Sequence, residues 1–171
     1  SGMWNMAWDA STSRLVLLYR DSGDNGYGKV CVFQLAANAL EGGTGDSGTI
    51  LTLVSEALNT SCAPSIVYDG GSHMIAAYSV ASDEDFFVDA VSITGSTTNT
   101  AAKAYGAEVS QSGESAFLVK VAWGGGRGIV LFEDSTDSSY NFVRGIDNSG
   151  SAIEVGGVAE LWGGDAVVDI G

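Results

Sequence analysis

Three short acidic turns, each ending in an aromatic residue, are the part of the sequence best suited to chemistry. The turn DSGDNG precedes Tyr27, the turn SDED precedes Phe86, and the turn EDSTDSS precedes Tyr140. An aromatic ring can stack on the apolar face of a sugar, while carboxylate oxygens accept hydrogen bonds from its hydroxyls. The predicted ligand-binding residues are the charged and aromatic side chains of these turns: Arg20, Asp21, Asp24, Tyr27, Asp83, Phe86, Asp137 and Tyr140.

The same turns allow other interpretations. Asp, Ser, Asn and Gly favour tight turns because their side chains bond nearby backbone or tolerate positive φ. Oxygen-rich turns also suit calcium, but the closing Glu of an EF-hand loop is missing, so we predict neither a metal nor a cofactor. The aromatic residues could instead pack between sheets.

The sequence offers little support for catalysis. The single histidine, His73, starts a predicted strand and is expected to be solvated there. There is no Gly-x-Ser-x-Gly motif to suggest a Ser-His-Asp triad. A pair of carboxylates for glycoside hydrolysis would need a particular buried environment, whereas these lie in turn-like segments. We therefore predict a protein that is not an enzyme, with a sialidase-like glycosidase as the weakest alternative.

Composition and charge limit the possible class of protein. The chain has 171 residues, enough for one domain, and contains Gly 24 times but Pro only once. Its net charge of -14 repels nucleic acids and anionic lipids, and no apolar run approaches the roughly 20 residues that span a bilayer. The two cysteines, Cys31 and Cys62, are expected to be buried free thiols, although a single disulfide is left open.

The elements that carry the acidic turns form a repeat. Aromatic residues that end the first apolar run of each unit, Trp8, Tyr68 and Trp123, are 60 and 55 residues apart. A second set is 59 and 54 residues apart: Tyr19, Tyr78 and Phe132. Such a near-constant offset indicates an internal repeat, with units at about 3–60, 61–112 and 113–161 and a terminal strand at 162–171.

Each unit is predicted to contain four short antiparallel strands. The runs RLVLLY, HMIAAY and GIVLF are too short for helices and are bounded by Gly, Ser and Asp. A fourth strand is expected in TILTLVSEAL, AKAYGAEVS and AIEVGGVAEL, whereas most of VFQLAANALEGG is expected to be a loop.

Repeated four-stranded sheets predict an all-β, propeller-like fold. Each sheet has two apolar faces that must pack on neighbours, and Trp8, Tyr68 and Trp123 are expected to pack between sheets. Three sheets cannot close a conventional propeller. The chain would then be a partial propeller within a longer array, a ring completed by oligomerisation, an open solenoid or a sandwich.

The segments YRDSGDNGYGKVCVF and FEDSTDSSYNFVRGI, each preceded by an AWD or AWG strand, resemble propeller-type repeats of marine bacteriophage tail fibres and adhesins. The likeness is strongest in the first repeat and weakest in the second. A looser similarity links Ser22, Asp24 and Gly26 to the structural Asp-box turn of sialidase-type propellers. The resemblance implies a virion or extracellular protein whose repeats form a binding scaffold.

Together these observations predict a non-enzymatic binding module that recognises a cell-surface glycan. The alternative is a purely structural subunit of a fibre, tail or filament, assembled by strand pairing between chains. The expected partners are further copies of the chain or neighbouring repeats of a longer one. Nucleic acid and membrane insertion are not expected.

Overall fold

The computed structural model describes residues 3–36, 39–42, 50–82, 85–94, 100–110, 116–134 and 140–162, which form thirteen β-strands and no helix. The first sheet comprises β1 (Trp4–Asp9), β2 (Arg14–Asp21), β3 (Tyr27–Ala36), β4 (Ala39–Gly42) and β5 (Leu51–Ala57). The second comprises β6 (Ser65–Tyr68), β7 (His73–Ser79), β8 (Phe86–Thr94) and β9 (Thr100–Glu108). The third comprises β10 (Ala116–Gly124), β11 (Arg127–Asp134), β12 (Tyr140–Asn148) and β13 (Ile153–Trp162).

The prediction of an all-β fold with three four-stranded antiparallel units is confirmed. Consecutive strands of each sheet pair as hairpins, except that β4 and β5 of the first sheet both pair with β3, which gives this sheet five strands. None of the described segments forms a helix with the length and hydrophobicity that crossing a membrane requires.

Strand register repeats from sheet to sheet. The first aromatic residue of each sheet has an equivalent partner on the next strand: Leu15 lies opposite Trp8, Met74 opposite Tyr68, and Gly128 opposite Trp123. In all three sheets this partner lies four positions before the second aromatic residue. Because side chains alternate between faces along a strand, the first and second aromatic residues of one sheet share a face. The three sheets are therefore structurally equivalent units.

The second sheet lies between the other two and is buried on both faces. Met74, Ala76 and Tyr78 on β7 pack into a core shared with the first sheet. The alternate residues Ile75 and Ala77 pack into a separate core shared with the third sheet. This explains why HMIAAYS carries no charged residue that water must solvate, unlike the strands of the outer sheets.

The first aromatic residue of each sheet faces the sheet that precedes it. Tyr68 packs on the core with the first sheet, and Trp123 packs on the core with the second. Trp8 occupies the same position, but its residue is 45% exposed, because the described residues include no sheet on that side. The expectation that Trp8 packs between sheets was wrong.

The segment after β3 differs from the predicted loop. Strand β3 is ten residues long, and β5 pairs only with its first half, from Tyr27 to Val30. The second half, Phe33 to Ala36, pairs with β4. Unpaired backbone groups at a strand edge are costly or prone to aggregation, and this extra hairpin satisfies those of β3.

Two equivalent hydrogen bonds join neighbouring sheets. Asn5 Oδ1 accepts from the Ile66 amide at 3.1 Å, and Ser65 Oγ accepts from the Val121 amide at 3.2 Å. Asn5 and Ser65 each lie three residues before the first aromatic residue of their own sheet. The first strands β1, β6 and β10 are thus stacked in one register through the molecule.

Both cysteines are free and buried, as expected. Cys31 lies in the first sheet, whereas Cys62 belongs to the core between the second and third sheets. Burial raises the pKa of Cys31, and it raises the pKa of Cys62 to about 11. Neither thiol is then poised to react near neutral pH.

Candidate functional site

The acidic turn of the first repeat is held by its own backbone hydrogen bonds, and its negative charge is paired with Lys29. The amides of Asp24 and Gly26 donate to the Asp21 carbonyl, at 3.2 and 2.9 Å, and Asn25 and Gly26 adopt positive φ. Lys29 Nζ lies 2.6 Å from Asp24 Oδ2 and 3.2 Å from Asp21 Oδ2. The hydrogen bond that Lys29 donates to Asp21 is the main cause of the lowered pKa of Asp21. The predicted ligand carboxylates of this turn are therefore engaged by a lysine that the sequence argument did not include.

Arg20 and Tyr27 complete the described part of the predicted site. Arg20 Nε donates to the Leu58 carbonyl at 3.1 Å, and its guanidinium packs so closely on Gly26 that a Cβ there would overlap it. Arg20 thus ties the turn to the end of β5. Tyr27 lies opposite Asp21 and is half-buried, so its ring is partly exposed beside the carboxylates of Asp21 and Asp24.

Phe86 lies where no surface ligand can reach it. Its residue is 0% exposed, and its ring centroid lies 4.4 Å from that of Phe132, between the second and third sheets. The partner opposite Tyr78 is Phe87, so Phe86 points to the other face. We therefore remove Phe86 from the candidate site.

The three remaining predicted residues are Asp83, Asp137 and Tyr140. Asp83 and Asp137 lie outside the described residues. Tyr140 begins β12 opposite Asp134, but its side chain is also outside the described part. The proposed acidic rim formed by three turns therefore stays a prediction.

A cleft lies at the opposite ends of the strands from these turns, between the second and third sheets. It has a volume of about 460 Å³ and is bordered by the β6–β7 and β10–β11 turns and by the end of β12. Its walls are one aromatic pair, two polar side chains and five glycines: Tyr68, Trp123, Asp69, Asn148, Gly70, Gly71, Gly124, Gly125 and Gly126.

Asp69 organises the polar side of the cleft. Its Oδ1 accepts from the amides of Gly71 at 2.7 Å and His73 at 3.1 Å, which fixes the turn after β6. Its Oδ2 accepts from Asn148 Nδ2 at 2.9 Å, so the carboxylate also joins the second sheet to the third. The side chain is 7% exposed.

His73 supports this arrangement from the side. Its side chain is only 13% exposed, with Nδ1 3.6 Å from Asp69 Oδ2 and its ring centroid 5.4 Å from that of Tyr105. The Tyr105 hydroxyl donates to Asn148 Oδ1. The expectation of a solvated histidine was therefore wrong, because neighbouring strands cover the start of β7.

Trp123 forms the apolar wall and depends on a glycine opposite it. Its indole packs on Gly128, where a Cβ would overlap the ring. Its Nε1 is buried and has no hydrogen-bond partner among the described residues. The residues equivalent to Gly128 are Leu15 in the first sheet and Met74 in the second. Neither of these side chains would leave space for a ring such as that of Trp123.

The third repeat opens the cleft by lacking a carboxylate. Asp9 and Asp69 follow the first aromatic residue of the first two repeats, and each accepts hydrogen bonds from its turn, whereas the third repeat has Gly124. A Cβ at Gly124, Gly125 or Gly126 would meet no atom within 4 Å. The sequence contains this substitution of glycine for aspartate, but only the structure shows the space that results.

The cleft presents one fixed carboxylate and open backbone groups. The Asp69 carboxylate is held by several donors, and the described residues contain no group of three or more His, Cys, Asp or Glu side chains that could hold a metal ion. A carboxylate oxygen can still accept a further hydrogen bond. Glycine turns leave backbone groups open to close approach by a ligand.

Comparison with known families finds no family model that matches this chain, and comparison with curated proteins finds no significant match. The similarity of the repeats to phage tail-fibre proteins therefore stays a prediction.

Proposed function

We propose that this protein is a non-enzymatic carbohydrate-binding module whose ligand occupies the cleft between the second and third sheets. The observation that carries the proposal is the placement of Trp123 beside Asp69 and Asn148, in a space walled by glycines. An indole, a fixed carboxylate and open backbone groups are what a sugar ring and its hydroxyls require.

The charge of the site supports one class of glycan as the proposed ligand. Asp69 faces the cleft, and the chain has a net charge of -14, so carboxylated or sulfated sugars would be repelled. We therefore propose a neutral glycan. Its apolar face would stack on Trp123, and its hydroxyls would donate to Asp69 and bond the turn backbone.

The setting proposed for this binding is a virion or another extracellular surface assembly. This proposal is supported by the resemblance of the acidic turns to those of phage tail-fibre repeats. It is also supported by the stack of β-sheets, since repeated sheets commonly present ligand sites at their turn ends.

The test uses a panel of neutral oligosaccharides titrated into the soluble protein by calorimetry. Trp123→Ala removes the stacking surface, and Gly124→Leu fills the cleft without removing a core side chain. Each variant should weaken binding by at least about tenfold, which corresponds to about 1.4 kcal/mol. Tyr27→Ala, at the other end of the strands, is the matched control and should bind like the wild type.

Two results would contradict this assignment. If Tyr27→Ala abolished binding while Gly124→Leu did not, the ligand site would lie at the acidic turns. If the wild type bound none of the panel, the glycan proposal would fail.

A second function, that of a purely structural subunit, is favoured by a different observation. Trp4, Met6 and Trp8 on the edge strand β1 are 55%, 46% and 45% exposed. Large apolar side chains so exposed commonly mark an interaction surface. An assembled mass in solution without glycan binding would support this alternative.

A further inference from the structure

The side of the first sheet that points away from the second sheet carries an uncovered apolar surface, which we call the front face. A groove of about 380 Å³ runs across it, lined partly by Trp4, Met6, Leu17 and Tyr19. The strand register places three further apolar side chains on this face beside them: Trp8, Leu15 and Phe33. Such a concentration of exposed apolar side chains commonly marks an interaction surface.

We propose that the front face binds the outward side of the third sheet, the back face, of a second copy of this chain. The contact would repeat the order in which the three sheets already stack within one chain. This inference does not depend on glycan binding, since the cleft lies between the second and third sheets.

The identity of the partner follows from the repeat. Met6, Trp8 and Tyr19 define the front face. Their structural equivalents are buried or partly buried against the preceding sheet in both other units: Ile66, Tyr68 and Tyr78 in the second sheet, and Val121, Trp123 and Phe132 in the third. The face that is exposed on the first sheet is thus the face that the other two sheets use for stacking.

The surfaces that cover these faces are also equivalent. Within the chain they are formed by Val16, Leu18 and Val30 of the first sheet and by Ile75, Ala77 and Val88 of the second. The same register positions on the third sheet are Ile129, Leu131 and Val143, on the back face. Ile129 is 45% exposed there, so this apolar side chain is uncovered at the other end of the stack, on a face that also carries Lys120, Arg127 and Glu133.

The register predicts which residues meet. Ile66 shares a core with Val16, and in the next junction Val121 shares a core with Ile75. The corresponding pair between two copies is Met6 and Ile129. Both side chains are exposed in the single chain, although they would be buried together in the assembly.

The third sheet departs from the repeat at one position, and this departure predicts that the contact between two chains is weaker than the contacts between sheets of one chain. Asn5 and Ser65 accept a hydrogen bond from the first strand of the next sheet, whereas the third sheet has Lys120 at this position. A lysine ammonium cannot accept a hydrogen bond. The Met6 amide, which corresponds to the Ile66 and Val121 amides, would therefore find no side-chain acceptor across the contact between chains.

Two copies joined in this way have a natural limit. Each copy carries one front face and one back face, so two chains can satisfy all four faces and present six sheets in a ring. Six lies within the usual range of about four to eight blades for propellers. Reciprocal use of two different faces gives a closed two-fold assembly when the rotation between sheets closes the ring, and an open filament when it does not.

The experiment measures mass by light scattering and sedimentation over a wide range of protein concentration. The wild type should form a two-chain species. Met6→Asp alters only the front face and Ile129→Asp only the back face, and each should weaken association by at least about tenfold, because a charge would be buried between the chains. Ala102→Asp, an exposed position on β9 outside both faces, should associate like the wild type.

Mixing the two variants provides the decisive readout. A Met6→Asp chain keeps its back face and an Ile129→Asp chain keeps its front face, so the mixture should recover a two-chain species through one intact contact. The Lys120→Asn variant regains a hydrogen-bond acceptor at this position and should therefore associate more tightly than the wild type. Circular dichroism and thermal midpoints verify that each variant is folded.

Two outcomes would overturn the proposal. A wild type that stays a single chain at all concentrations would exclude it. An Ile129→Asp variant that associates as tightly as the wild type would mean that two front faces bind each other or another surface.

Discussion

Asp89 shows how much a single buried side chain can depend on its neighbours. It is 1% exposed, accepts from the Tyr78 hydroxyl at 2.6 Å, and lies 2.8 Å from Lys103 Nζ. Burial, followed by the charge of Asp89, raises the pKa of Tyr78. A Cβ at Gly106 would overlap this carboxylate, so the network also requires that glycine. The sequence places these four residues on three strands but gives no sign that they meet.

Replacement of Tyr78 by Phe should destabilise the protein. Asp89 would lose a donor while staying buried, and leaving a buried polar group with fewer partners costs about 1–3 kcal/mol. The equivalent substitution Tyr19→Phe, on the partly exposed front face, should change stability by no more than about 0.5 kcal/mol. Urea unfolding of the two variants measures the difference, and equal losses would contradict the role given to the Tyr78 hydroxyl.

Asp9 should contribute to stability in a pH-dependent way. Burial alone raises the pKa of its carboxyl, but hydrogen bonds from Ser11 and Thr12 outweigh burial and leave the pKa below 3.8. A lowered folded-state pKa stabilises the fold above the unfolded-state value, and this contribution is lost as pH falls through the folded-state pKa. The unfolding free energy of Asp9→Asn should therefore depend less on pH than that of the wild type across acidic pH. Parallel curves would contradict this expectation.

The strands themselves were largely predictable from the sequence, but the face of the sheet to which each side chain points was less predictable. Alternating apolar residues and Gly/Asp turns indicated twelve of the strands, and the constant spacing of Trp8, Tyr68 and Trp123 aligned them. Tyr27, Phe86 and Tyr140 each follow the second aromatic residue by eight positions. However, Tyr78 and Phe87 pair only nine residues apart, against ten in the other two hairpins. A turn shorter by one residue reverses the face of every following side chain, and spacing alone does not reveal this.

The β10–β11 hairpin should tolerate no side chain at Gly128. In Gly128→Ala, the added Cβ would overlap the Trp123 ring, and inserting atoms into packed structure typically costs about 1–3 kcal/mol. Gly157→Ala on β13 is the control, because a Cβ there meets no atom within 4 Å. Thermal unfolding and tryptophan fluorescence should change in the first variant only. A Gly128→Ala protein with unchanged fluorescence would contradict the packing of the indole.

At the scale of the molecule, a three-unit repeat could be counted from the sequence, whereas the order of covered and uncovered faces could not. The middle strand HMIAAYS is apolar because both of its faces are buried, and β1 is apolar on one side although nothing in the described chain covers it. A repeat protein is stabilised by contacts between neighbouring units. The exposed Trp4, Met6 and Trp8 lie on the face that the other two sheets use for such contacts, and this supports the proposed association between copies.

The proposed association should become tighter as salt is added. Each chain carries a net charge of -14, so two copies repel each other, while Met6 and Ile129, the pair that would meet, are both apolar. The Debye length falls from about 30 Å at 0.01 M salt to about 10 Å at 0.1 M, which screens this repulsion. Sedimentation at increasing sodium chloride should therefore show a dissociation constant that falls several-fold, and binding of a neutral glycan should change little. Dissociation by salt would instead mean that ion pairs, and not the apolar faces, hold the chains together.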